Sequence, residues 1–260
     1  MSITRRTLLL APLAGLVASR AGAEPMRPAE EFRLLPLRVH VLQSELLTDL
    51  HCKLADADLR RVLGKVNGIW RPAGIQFFPE SIRRETAGAE SLLRSLGGNR
   101  TLDHLPLARP RESRSDRMFH VYYIREMGPN GICFDGSGEK LFVKETARLN
   151  PVPDGIDEPL PRVTAHEIGH ALRLPHRQDR TNLMASGTNG TSLNEEEIGI
   201  SRAAAEALEW HLKPAPALSH AESLREQQPE AAADLLEVLA LLPDGPTAQA
   251  ARAARRALRG

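Results

Sequence analysis

The chain has 260 residues, 42% hydrophobic and 26% charged, which is globular composition and ample length for a sizeable core. A net charge of +1 at pH 7 implies no strongly basic face, so charge does not point to nucleic acid as a partner. The two cysteines, Cys52 and Cys133, lack the CxxC spacing of a zinc-finger-type site.

Residues 1–23 read as an export signal. Arg5 and Arg6 form a basic start, an apolar run follows from Leu8 to Ala18, and Ala21-Gly22-Ala23 offers small residues for cleavage. The paired arginines resemble a twin-arginine signal. The run is too short for a membrane-spanning helix, and no cysteine near the cleavage point offers a lipid anchor. The expected location is therefore periplasmic or secreted, with no stable membrane anchor. Cleavage would remove three arginines and no acids, taking the net charge from +1 to −2. In an exported protein Cys52 and Cys133 are either a disulfide or two buried thiols.

After a short lead, residues 33–44 alternate from Leu37 to Leu42 as a strand does. Leu59, Val62, Leu63, Val66 and Trp70 recur at helical spacing, with Asp56 or Asp58 as cap and Pro72 and Gly74 as the stop. Residues 74–82 read as a second strand, completing a strand–helix–strand unit of a parallel or mixed sheet. Residues 84–116 are polar and arginine-rich, a long loop with one short helix near 89–96. Residues 117–127 are aromatic, β-branched and alternating, a third strand. Two short strands flank the turn at 135–138. The proline-bearing stretch 150–161 reads as loop, and 192–212 as a helix with an acidic first turn. A proline-bounded break at 213–219 precedes two amphipathic helices, 220–242 and 247–258. This divides the chain into a signal (1–23), a catalytic-type domain (24–212) and a helical tail (213–260), which either packs on the domain or docks a partner.

Three of the nine histidines fall between His166 and His176. On a helix, His166 and His170 stand one turn apart on one face and can grip a single metal ion. Glu167 is offset around the helix, placed to reach a water at that metal as general base. Pro175 stops the helix, so His176 can swing back as third ligand. Three neutral histidines with an open fourth position make a catalytic zinc arrangement, not a closed structural one.

His166-Glu167-Ile168-Gly169-His170-Ala171-Leu172-Arg173-Leu174-Pro175-His176 resembles the metzincin zinc signature, and residues 181–187 around Met184 resemble the Met-turn of those peptidases. The resemblance implies an α/β (α+β) fold: a twisted mixed sheet with an active-site helix and a small C-terminal part holding the Met-turn. It also implies Zn2+ as cofactor, Met184 as the apolar floor of the site, and endopeptidase activity in which Glu167 assists attack of a zinc-bound water on a protein or peptide substrate. The substrate would pair with an edge strand, formed by residues 131–134 or 140–144. Two departures stand out. The signature glycine is Arg173 here, at a turn that usually takes positive φ. No tyrosine lies near Met184, which is closer to pappalysin-like or reprolysin-like members. The alternative to an enzyme is an inactive zinc-binding domain used for protein interaction. A rival third ligand comes from Glu195, Glu196 or Glu197, as in gluzincins. Calcium sites at 135–139 or 154–158 match no full loop signature. The first strand starts about ten residues after the cleavage point, so no long propeptide is expected.

Overall fold

A computed structural model describes residues 27–111, 114–136 and 138–259. The expected export signal lies outside the described residues. The chain builds a five-stranded sheet from β1 (Arg33–Gln43), β2 (Ile75–Thr86), β3 (Phe119–Ile124), β4 (Gly131–Cys133) and β5 (Leu141–Lys144), in the order β2-β1-β3-β5-β4. The first four strands of that order run parallel, and β4 closes the edge antiparallel to β5. The fold is thus α/β with a mixed sheet, as expected. Of the two candidate edge strands, β4 is the edge and β5 is interior.

Helix α1 (Asp56–Trp70) links β1 to β2, and its apolar stripe packs on the sheet face that carries Leu35, Leu37, Val39 and Val41. Helix α3 (Pro159–Ala171) lies beside it on the same face. The opposite face carries the polar residues 38 and 40. Arg38 is 8% exposed and His40 is fully buried. The excursion after β2, with short helix α2 (Glu90–Leu96), covers this face and packs Leu93 and Ala108 against Leu42, Tyr122 and Phe142.

Burial of polar residues there is compensated by pairing. Arg38 and Glu80 form two 2.8 Å hydrogen bonds, and the register slip beside Leu37 places Glu80 for it. Glu85, His40, His120 and the Ser115 carbonyl form a chain with steps of 2.5, 2.9 and 2.9 Å. His120 Nε2 donates to the Ser115 carbonyl, which only accepts. Burial, then the neighbouring His40, hold His120 down to about 4. Its folded value lies below the ordinary 6.5, so its contribution to stability is present above pH 6.5 and lost as pH falls toward 4. The expected loss is about 3 kcal/mol. Melting temperatures at pH 7 and pH 4.5 should show a smaller fall in His120→Gln than in the natural chain; equal falls would refute the assignment.

Three corrections concern prolines. Helix α3 starts at Pro159, inside the stretch expected to be loop, and the expected break at 213–219 is the start of helix α5 (Pro214–Leu224). Helix α6 (Pro229–Ala240) likewise opens on a proline. A proline at the first helical position has no hydrogen bond to lose, so the residue that reads as a stop here marks a start. Helix α4 (Glu195–Glu206) is shorter than expected because Asn194 caps it through the Glu197 N–H at 2.9 Å. Helices α5, α6 and α7 (Pro246–Arg259) bury Ala217, Leu235, Leu239 and Ala251 with Phe32, Leu34 and Phe78. The tail therefore shares a core with β1 and β2. Among the described residues no helix is long and apolar enough to cross a membrane.

Candidate metal centre

Helix α3 presents Arg162, Val163, His166, Glu167 and His170 on one face, at i, i+1, i+4, i+5 and i+8. The helix ends in a Schellman turn: the Leu174 N–H donates to Gly169 and the Arg173 N–H to His170, at 2.9 and 3.0 Å. Arg173 occupies the left-handed position with φ 68°. A non-glycine residue bears a cost of about 1 kcal/mol there, yet the turn forms and returns His176 to the helix face. Arg173 is exposed. Arg173→Gly is expected to raise unfolding free energy by up to about 1 kcal/mol without changing metal content. Denaturant unfolding and metal analysis test this; destabilisation would mean the side chain does more than fill the turn.

His176 Nε2 lies 3.3 Å from His166 Nε2 and 3.2 Å from His170 Nε2. One ligand atom from each ring lies within 4.8 Å of the others, and this is the one such cluster among the described residues. His166 Nδ1 donates to the Leu183 carbonyl at 2.8 Å, and His170 Nδ1 to the Leu174 carbonyl at 2.9 Å. A carbonyl only accepts, so both protons sit on Nδ1 and both Nε2 lone pairs face the common point. Burial, with Arg162 nearby, holds His166 down to about 3, and burial lowers His170 also. These imidazoles are neutral at ordinary pH. Tetrahedral ligation at the usual Zn–N length of about 2.0–2.1 Å separates nitrogens by roughly 3.3 Å, so the donors fit a zinc ion in chemistry and spacing.

Glu167 is 5% exposed beside these rings. Burial pushes its carboxyl up to about 8, against the opposing pull of Arg162 and of the Cys133 N–H. Gly131 on β4 makes this seat: a Cβ there would overlap Glu167 Oε1 and reach Val163 at 2.7 Å. The same cavity, about 350 Å³, is lined by His166, Glu167, His170, His176, the β4 edge and Ser186-Gly187.

Met184 is fully buried, and a Cβ on Gly169 would come within 2.5 Å of its Sδ, so the methionine packs directly under α3. Of the three acidic candidates, Glu195 and Glu196 are exposed on α4, whereas Glu197 is fully buried. Glu197 accepts from Arg177 Nε at 2.8 Å, Asn182 Nδ2 at 2.7 Å and Asn194 N–H at 2.9 Å. It ties the residue after His176 to the Met184 segment and does not join the histidine cluster. The residue expected either as a rival ligand or as part of an acidic first turn is thus a fully buried clamp.

Cys52 and Cys133 are free thiols. Burial raises Cys52 to about 12 and Cys133 to about 11. Cys133 thus serves Glu167 through its backbone, and its sulfur stays outside the cluster. Three of the acids considered for calcium are engaged by basic side chains: Asp135 by Lys140, Asp157 by Lys65 at 2.7 Å, and Glu158 by Lys65 and Arg61. The Leu183 carbonyl, the Cys133 N–H, Gly131, Arg162 and Glu197 were not singled out from sequence, since none lies in a motif.

No protein-family model matches the chain. No curated protein matches it either. Among solved structures, it is similar to metalloproteinase-II from Bacteroides fragilis, with TM-score 0.39 and 14% identity over 69% of this chain and 55% of that one. It is also similar to archaemetzincin from Methanopyrus kandleri, with TM-score 0.31 and 15% identity over 70% of this chain and 96% of that one. The chain thus spans little more than half the length of the Bacteroides protein. Likeness at this level says nothing of activity, which has to be read from the site's own residues.

Proposed function

We propose that this chain is an exported zinc-dependent endopeptidase, with His166, His170 and His176 holding the ion and Glu167 as general base. One observation carries the reading: a buried glutamate stands beside three imidazoles whose Nε2 atoms converge, two of them held as acceptors by their Nδ1 bonds. When bound, zinc supplies Lewis acidity toward a carbonyl and brings the pKa of water to about 7. Burial alone favours the acid form of Glu167, and a dication held by the three histidines would favour its carboxylate, which takes the proton of the attacking water and returns it to the leaving amide nitrogen. The Cys133 N–H and the gap at Gly131 hold that carboxylate in place. The open edge of β4 offers backbone groups to an extended peptide. Export rests on the basic, apolar and small-residue pattern of residues 1–23. Both tyrosines lie in β3, with Tyr123 held by Thr164 at 2.8 Å, so none joins the Met184 turn. This favours the pappalysin-like or reprolysin-like grouping.

The test is a mixed peptide library with the zinc-loaded chain, metal analysis and a chelator. The expected result is one zinc per chain, cleavage abolished by chelation, and zinc content lowered by His176→Ala. Zinc at a hundred times its Kd should add about 2.7 kcal/mol of stability. Cleavage indifferent to the chelator, or full zinc content in His176→Ala, would refute the assignment.

A further inference from the structure

Arg162 sits one turn before His166, and its side chain is only 2% exposed. Nε donates to the Gly190 carbonyl at 3.2 Å and Nη2 to the Ala185 carbonyl. Both acceptors are neutral. The acid that acts on it is Glu167, which is bonded to the Cys133 N–H and forms no ion pair with the guanidinium. A guanidinium carries five N–H donors, and these two bonds use two. Nη1 has no hydrogen bond among the described residues, and it is not among the sealed polar atoms. Arg162 lines the cavity that also holds His166 and Glu167. Burying a guanidinium without a counterion costs several kcal/mol of hydration, so the place is poorly explained as packing. The two carbonyl bonds fix the fork, and pre-organised donors are what planar recognition of a carboxylate needs.

We propose that Arg162 is the base of a substrate subsite that takes a carboxylate, so that the enzyme selects peptides with an acidic group beside the bond it cleaves. This rests on the peptidase reading. Two sources share that chemistry: a Glu or Asp side chain, and the free C-terminus of a short peptide. Wall residues Gly131 and Gly187 leave the cavity between β4 and the Met184 segment open to either.

The experiment compares matched peptides with Glu, Gln or Leu at each position around the cleaved bond, each with a free and an amidated C-terminus. The natural chain should cleave a Glu peptide at least about tenfold better than its Gln twin, the expected worth of a charge-assisted hydrogen bond. If the terminal carboxylate is the ligand, the preference instead follows the free C-terminus. In Arg162→Gln the preferred ratio should fall toward one, and in Arg162→Lys it should persist in part. Circular dichroism checks that each variant is folded, and the Glu/Gln comparison in the natural chain needs no variant. Cleavage without any preference for a carboxylate overturns the subsite and leaves the peptidase reading intact. If nothing is cleaved, fluorescence-polarisation binding of the labelled Glu and Gln peptides decides the subsite separately. Tighter binding of Glu that is lost in Arg162→Gln supports it, and equal binding overturns it.

Discussion

Glu167→Gln lowers kcat by about 10²–10⁴-fold while zinc content and folding are preserved. Glutamine has the same shape, so it fills the gap at Gly131 and still accepts from the Cys133 N–H. It cannot take a proton from water at neutral pH. Burial of the natural carboxyl is costly, as its rise to about 8 records, so the neutral amide should not destabilise the metal-free chain. His166 and His170 keep their Leu183 and Leu174 partners, and zinc binding is untouched. Steady-state kinetics, metal analysis and melting temperature together separate a lost base from a damaged fold. Wild-type kcat in the glutamine variant would remove Glu167 from the mechanism. Gly131→Ala reaches the same carboxylate from the other side. An added methyl there collides with Oε1, so activity should fall with zinc content unchanged.

The second large effect is structural. Glu197→Ala should cost about 1–3 kcal/mol, the range for leaving hydrogen-bond donors unsatisfied, because Arg177 is partly exposed and keeps Glu196. Its carboxylate holds Arg177, Asn182 and the Asn194 N–H, and the first two flank His176 and Leu183-Met184. Groups that orient metal ligands typically change affinity by about 10–100-fold when lost, so zinc binding should weaken as well. Urea unfolding and competition with a zinc chromophore measure the two effects. Glu195→Ala, on the exposed start of α4, should stay within about 0.5 kcal/mol. A loss of zinc affinity at Glu197 with full stability would revive its role as a ligand, and no change in either would dismiss the clamp.

Local information made much of this protein legible in advance. The i, i+3, i+4 spacing of Leu59 to Trp70 and the alternation of residues 37–42 are enough for α1 and β1, since periodicity is a property of neighbouring residues. The same holds for His166, Glu167 and His170, whose relation depends only on helical geometry, and for the return of His176 after Pro175. Prolines at 159 and 214 misled because breaker and first helical residue look alike until the following turn is seen to pack, and the one helix expected over 220–242 is in fact interrupted before Pro229. Tertiary structure alone decided the surroundings. His40 and His120 lie buried because residues from another part of the chain cover them, which local alternation does not record. The Leu183 carbonyl that sets the His166 tautomer is 17 residues away, and Glu167 meets Gly131 on the edge strand. The sequence by itself determined which three histidines could meet at one point. Their tautomers, the seat of the carboxylate, the clamp at Glu197 and the buried guanidinium of Arg162 were decided by contacts between distant segments, which no local spacing records.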